Sequence, residues 1–286
     1  MATLREVRKR IKSAQNIQQI TKAMKMVSAA KLRKAQERIL SARPYSDKIE
    51  EVIADLVRKA DPKLFPLVRK NESVSKEAVV LITADKGLCG SFNTNLAKEA
   101  MLKMKDAPDL VLYYIGKKGM DVLKRFGRES VMFKYNDRNI SWFEVEEVSN
   151  ALIKHYAAGE YRKVEIIYSS YQNNMQQKIV RKQILPVVFD RKEDKEEPAK
   201  DFIYEPGEEA VLNNLIEKYI KTTMFRDVLE SQASEHGVRM VSMEMATKNA
   251  GEMITSLTLL ANKTRQAAIT GEIMEIVGGA NAIKNG

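Results

Sequence analysis

Thr83–Asn93, TADKGLCGSFN, is the stretch whose residue types come nearest to chemistry. It follows an apolar run and precedes a helical pattern, which is where phosphate-binding loops sit. Gly87 and Gly90 permit a tight turn, and the helix N-terminus behind them could hold an anion. The spacing is neither G-x-x-x-x-G-K-[ST] nor G-x-G-x-x-G. A structural strand-to-helix turn, or a protein contact, is therefore favoured over a cofactor site. GKKG at 116–119 reads as another such turn. Cys89, the one cysteine, has no histidine near it in sequence to make it a nucleophile. It cannot form an internal disulfide, which fits a reducing compartment. His155 and His236 lie far apart, and no Cys/His cluster has metal-ligand spacing. No pair of carboxylates is placed for acid–base work. The expectation is a binding or mechanical protein with no catalytic residue, no metal and no cofactor.

The elements around this loop follow from the punctuation. The first glycine is Gly87, and before it proline occurs only at 44, 62 and 66. Apolar residues recur at Leu4, Val7, Ile11, Ala14, Ile17, Ile20, Met24 and Val27, in steps of three and four. That spacing predicts a long amphipathic helix. The successive three-residue steps from Ile11 to Ile20 predict an irregular supercoil. Pro44 is expected to kink or end a segment, with helix resuming to about Ala60. After Pro206 no proline follows, and Glu208–Val277 is helical in pattern. Met243, Ala246, Ala250, Met253, Leu257, Leu260, Thr264 and Ala267 read there as a seam. Such a helix is ~100 Å long at ~1.5 Å per residue, so it must project and needs a partner. The N-terminal helix is the one other element of comparable length.

The middle of the chain alternates. EAVVLIT (77–83), DLVLYYIG (109–116) and KVEIIYSS (163–170) are strand-like. Asn93–Lys105, Lys117–Phe126 and Trp142–Ala157 are helical in spacing, the last opened by a Ser141/Glu144 capping box. KIVRKQILPVVF (178–189) and DFIY (201–204) read as added strands, joined by a charged loop. This alternation predicts a largely parallel sheet. The fold class expected is α+α/β. Its long terminal helices pair as an antiparallel coiled coil over 1–60 and 207–286, and a Rossmann-like α/β domain over 70–206 is inserted between them.

Charge is concentrated at one end. Residues 1–40 hold eleven Lys/Arg against two acids, nearly the whole of the net +10. ITKAMKMVSAAKLRKA (20–35) carries five of these cations and no acid. Such a face suits an acidic partner: nucleic acid, anionic lipid or acidic protein loops. A basic coiled-coil nucleic-acid-binding or scaffold protein is the rival reading. Against it, no aromatics interleave with the cations and no base-reading motif appears. No apolar run approaches the ~20 residues of a membrane span. MATLREVRKRIK lacks an apolar core, so neither a secretory signal nor a transit peptide is expected.

ITKAMKMVSAAKLRKAQ (20–36), TADKGLCGSFN (83–93), ASEHGVRMVSMEMAT (233–247) and NKTRQAAITGEIMEIVGGANA (262–282) occur in order. Together they resemble the gamma subunit of bacterial F-type ATP synthase. The resemblance implies a non-catalytic central rotor shaft, peripheral to the cytoplasmic face of the cell membrane. Its implied partners are the alpha and beta subunits, the epsilon subunit and the c-ring. Membrane contact runs only through that ring, and nucleic acid is not a partner. It places Lys22, Met24, Lys25, Arg239, Arg265, Gln266, Thr270 and Glu272 toward beta. Lys86, Gly87, Cys89, Tyr204 and Glu205 are placed toward epsilon and the c-ring. EIVGGANAI (275–283) becomes an apolar tip. Lys86 stands where many relatives have arginine. The absence of a second cysteine argues against a redox switch of the chloroplast kind.

Overall fold

The computed structural model describes residues 3–59, 65–133, 140–173, 177–188 and 207–284. The elements run α1 (Leu4–Lys59), β1 (Glu77–Ile82), α2 (Phe92–Asp106), β2 (Leu110–Ile115), α3 (Lys117–Leu123), β3 (Ser130–Phe133), α4 (Trp142–Ala157), β4 (Lys163–Tyr171), β5 (Gln177–Leu185) and α5 (Glu208–Lys284). They form two compact units, one of Met1–Ser28 with Met240–Gly286, the other of Ala29–Arg239.

The larger unit holds a five-stranded sheet in the order β3-β2-β1-β4-β5. The first four strands are parallel, and β5 runs antiparallel to β4. Strands β1 and β2 are buried on both faces, which is why they read as continuous apolar runs. Ala78, Val80 and Ile82 turn to one core with α4, Ile49 and Ile53 of α1, and the stripe Leu212, Ile216, Ile220, Met224, Val228 of α5. Val79 and Leu81 turn to the other, under Leu96, Ala97 and Ala100 of α2 and Leu123 of α3. The capping box forms as the sequence predicts. The Ser141 Oγ accepts from the Glu144 amide, and Glu144 Oε2 accepts from the Ser141 amide at 2.9 Å. Strand β3, absent from the sequence reading, is four residues long and half exposed, too short to show a pattern. DFIY and its preceding charged loop lie outside the described residues.

Helix α1 does not end at Pro44 but continues to Lys59. Proline removes one backbone donor. The helix is retained because Leu32, Ala35, Ile49 and Ile53, on either side, are all buried. Arg38 helps hold this stretch. Its Nη2 donates to the Ile140 carbonyl at 2.5 Å, and its guanidinium lies 5.5 Å from the Phe225 ring centroid. Trp142 meets the same ring edge-on at 5.4 Å. One cation and two aromatics thus clasp α1, α4 and α5.

In the smaller unit α1 and α5 are antiparallel, as expected, since Gln18, Thr21 and Lys25 meet Gly251, Thr247 and Glu244 respectively. The seam differs from the apolar stripe. Up to Ser28 the shielded positions on α1 are 4, 7, 11, 14, 18, 21, 24, 25 and 28, a heptad-like line with Met24 shielded beside Lys25. Ile17, Ile20 and Val27 face outward at 52%, 59% and 57% exposure. The seam thus runs in part through polar residues. From Met243 on, the shielded positions on α5 are 243, 246, 247, 250, 251, 254, 257, 261 and 264. Ala246 is shielded as expected, with Thr247 beside it, while Ile254 and Ala261 occupy places that the sequence reading gave to Met253 and Leu260. In both helices a following or preceding apolar neighbour captured the reading, because apolar residues stand on both sides of the seam line.

Asp227 of α5 is fully buried. Lys182 Nζ of β5 is 3.6 Å away. Burial pushes its pKa from 3.8 up to about 6, against the charges of Lys182 and Arg226. The folded state thus keeps a proton that the unfolded chain releases, so stability falls as pH rises from about 4 to 6. Asp227→Asn is expected to raise stability at neutral pH by about 1–3 kcal/mol. Thermal unfolding followed across pH 4–8 checks this. A variant melting at or below the parent at pH 7.5 would refute it.

Candidate functional site

The loop after β1 is built by hydrogen bonds that use its own polar groups. The Thr83 amide donates to the Ile115 carbonyl at 2.8 Å, and Thr83 Oγ1 accepts from the Gly119 amide at 2.8 Å. Gly116 at φ +97° lies so close to Thr83 that an added Cβ would stand 1.9 Å from its carbonyl oxygen. Only glycine fits there. Asn93 of α2 reaches back, its Oδ1 accepting from the Ala84 amide at 3.0 Å and its Nδ2 lying 3.3 Å from the Cys89 sulfur. The Asp85 carboxylate accepts from the Lys117 amide at 2.9 Å.

Arg239, the last residue of the larger unit, closes the loop from the α5 side. Its guanidinium donates to the Gly87 carbonyl at 3.3 Å and the Lys86 carbonyl at 3.2 Å. It also pairs with Glu235 at 2.6 Å and lies 3.2 Å from His236 Nδ1. Both Arg239 and Glu235 are buried. Beside it the end of β4 is bound to α5 in the same way. Ser169 Oγ and Ser234 Oγ are 2.7 Å apart, and Ser170 Oγ donates to Glu230 at 2.8 Å. Open α/β sheets take ligands outside the carboxyl ends of their strands, where the strand order reverses. Here that point lies between β1 and β4, and α5 crosses it. The loop carbonyls face a guanidinium, so the arrangement clamps a helix to a sheet.

The clamp presents Lys86, Gly87, Leu88 and Gly90 outward. Leu88 has φ +63° and is 63% exposed, a conformation uncommon for a residue other than glycine. Cys89 beside it is buried, and burial raises its thiol pKa despite the opposing charge of Arg239. It stays a thiol at neutral pH.

The residues singled out from the sequence fall in three places. Lys86, Gly87, Cys89 and Arg239 come together in the clamp, with Lys86 and Gly87 exposed. Lys22 is exposed, Met24 half-buried, and Lys25 pairs with Glu244 at 2.6 Å. Arg265, Gln266, Thr270 and Glu272 are exposed on α5. Extending the Thr21–Thr247 register puts Leu4, the first residue of α1, opposite Thr264. From 265 to 281 every residue of α5 is exposed. Ile269, Ile273, Met274, Ile276 and Val277 are among them. Tyr204 and Glu205 lie outside the described residues. Sequence reasoning missed the role of Arg239 toward its own loop, because Gly87 and Lys86 lie 152 and 153 positions away from it. It also missed Glu235, whose spacing of four from Arg239 was the available signal.

A family model described as ATP synthase matches residues 3–283. The chain is 42% identical over 285 residues to the ATP synthase gamma chain of Desulforamulus reducens, covering 99% of this chain and 100% of that one. It is 44% identical over 288 residues to that of Geotalea daltonii, again covering 99% and 100%. Among solved structures, a chain of the central stalk and c-ring of the Tetrahymena thermophila mitochondrial ATP synthase superposes with a TM-score of 0.60. It is 25% identical and covers 79% of this chain and 99% of its own. A chain of the OSCP/F1/c-ring assembly from Euglena gracilis gives a TM-score of 0.68 at 22% identity, covering 98% and 94%. Long terminal helices paired head to tail, a mostly parallel sheet between them in sequence, and full-length likeness to gamma chains agree: this chain belongs to the ATP synthase gamma family.

Proposed function

We propose that this chain is the central rotor stalk of a proton-translocating ATP synthase. It couples rotation of a c-ring to conformational change at catalytic sites carried by beta subunits, and it does no chemistry itself. The observation that carries this is the exposed stretch of α5 from 265 to 281, a lone helix studded with apolar side chains. Water is a poor neighbour for it, and a surrounding sleeve of other subunits is a good one. In such a sleeve, three chemically identical beta subunits adopt different states only when each meets a different side of the shaft. The shift at each site equals the difference in contact free energy between its states. Lys22, Met24, Lys25, Arg265, Gln266, Thr270 and Glu272 supply unlike sides, and Arg239 joins them through the loop it holds. Lys86, Gly87 and Cys89, with Tyr204 and Glu205, belong to the end facing epsilon and the c-ring. No helix among the described residues is long and apolar enough to cross a membrane. The chain sits peripherally on the cytoplasmic side, touching the membrane through the c-ring alone. Residues 1–60 with 207–286 form the shaft, and 70–206 the foot.

Co-expression with alpha and beta subunits tests this. One copy of this chain should co-purify with three alpha–beta pairs as an active ATPase. Deleting 274–286 should lower ATP-driven proton pumping several-fold while leaving most of the complex assembled. Loss of assembly itself would overturn the view of the tip as a bearing, and a chain that never joins the complex would overturn the whole reading.

A further inference from the structure

The seam between α1 and α5 is apolar at Val7, Ile11 and Ala14, and then carries the polar residues Gln18, Thr21, Lys25 and Ser28, with Met24 half-buried among them. A purely apolar heptad seam is degenerate, since a slip along the axis still sets apolar against apolar. Polar residues at seam positions remove that degeneracy. Here three of the four find a specific counterpart. Thr21 Oγ1 lies 2.8 Å from Thr247 Oγ1. Lys25 pairs with Glu244. Gln18 Nε2 lies 3.0 Å from where a Cβ on Gly251 would stand, so the missing side chain makes its room.

The hydroxyl pair is satisfied in two ways. Thr21 Oγ1 is 2.9 Å from the Ile17 carbonyl, and Thr247 Oγ1 is 2.7 Å from the Met243 carbonyl. Each hydroxyl has one proton. Either Thr247 donates across and Thr21 donates to its own helix, or the reverse. Both arrangements use both protons and keep the bond between the helices. Thr21 is 9% exposed, so water does not compete freely for it.

We infer that Thr21–Thr247, Lys25–Glu244 and Gln18 over Gly251 form a register lock, fixing the offset and rotation of one terminal helix against the other. The inference builds on the rotor reading: an axle of two strands delivers torque only if they turn as one body. The lock makes Thr21, Thr247 and Gly251 positioning residues for coupling, acting through the faces they hold in place.

The test uses the full chain assembled with alpha and beta subunits, carrying Cys89→Ser. Cysteine pairs are placed at Ala14/Ile254, in register, and at Ala14/Leu257 and Ala14/Ala250, one turn either side. A disulfide needs its Cα atoms within ~7 Å, so one turn of displacement is resolved. With threonines present only the first pair should cross-link. Thr21→Val with Thr247→Val should bring up the displaced pairs several-fold and lower protons pumped per ATP hydrolysed. Thr21→Ser with Thr247→Ser should restore both. Single valine variants should show the same shift more weakly, which keeps the question open to refutation should the double variant not assemble. Valine variants cross-linking only at Ala14/Ile254 would overturn the lock. The rotor reading would survive that result, since it fails instead by loss of the complex.

Discussion

Lys103→Met is expected to cost about 3–5 kcal/mol of stability, the usual toll of stranding a buried charge. Lys103 projects from α2 with its side chain 10% exposed, and its ammonium lies 2.5 Å from Glu77 and 2.8 Å from Glu165. These glutamates sit in the adjacent strands β1 and β4 and are nearly fully buried. Arg162 and Lys163 reach their other oxygens from the rim. Burial alone would raise Glu77 and Glu165, but the bonds from Arg162, Lys103 and Lys163 outweigh it, and both lie below the ordinary 4.5. The sign in the parent follows. The stabilisation is complete above about pH 4.5 and is lost as pH falls through the lower folded values. In Lys103→Met the order reverses, because burial dominates and the carboxylates take up protons more readily. The variant should regain part of its lost stability between pH 7 and 5, beyond the change that Asp227 brings to parent and variant alike. Urea midpoints at pH 7, 6 and 5 measure this. A variant with unchanged midpoint at pH 7 would show that the rim cations suffice.

Arg239→Ala should act on both stability and coupling. It leaves Glu235 buried without its guanidinium and frees the carbonyls of Lys86 and Gly87, at a cost of about 3–5 kcal/mol. The loop from Lys86 to Gly90 loses its tie to α5, so amide exchange there should accelerate by orders of magnitude while β1 and β2 stay protected. Hydrogen exchange by mass spectrometry reads both regions in one experiment. Arg239→Lys keeps the charge but not the planar fork that spans two carbonyls and a carboxylate. It should recover stability in part and loop protection hardly at all. Equal protection of the loop in parent and alanine variant would place the clamp elsewhere. ATPase activity of the assembled complex should persist in both variants, with proton pumping per ATP reduced.

Much of this fold could be read from residue types. Short β-branched runs gave β1, β2 and β4, and Ser141 with Glu144 marked the start of α4 to the residue. Those signals are local, so one strand or one turn contains them whole. The seam of the coiled coil was misread for a physical reason. Ile17, Ile20 and Val27 carry more apolar surface than Gln18, Thr21 and Ser28, and a lone sequence gives no sign that the larger side chains face outward. An exposed apolar face inverts the usual rule that apolar means inside. The clamp was legible only as a turn. Its loop motif was visible, but the guanidinium that secures it comes from another part of the chain. Lys103 looked like any surface lysine of an amphipathic helix until the sheet set two glutamates beneath it.

Helix α1 begins opposite Thr264, so the axle changes there from two strands to one. A single helix twists and flexes more readily than a pair bound along a seam. Rotary strain will therefore concentrate past that point, as it does in the thin end of a tapered spring. The single-helix end of α5 is thus the most compliant part of the axle, able to lag behind the paired part and then release. Stepwise output at the catalytic sites can be fed from smoother motion below, with α5 smoothing the difference.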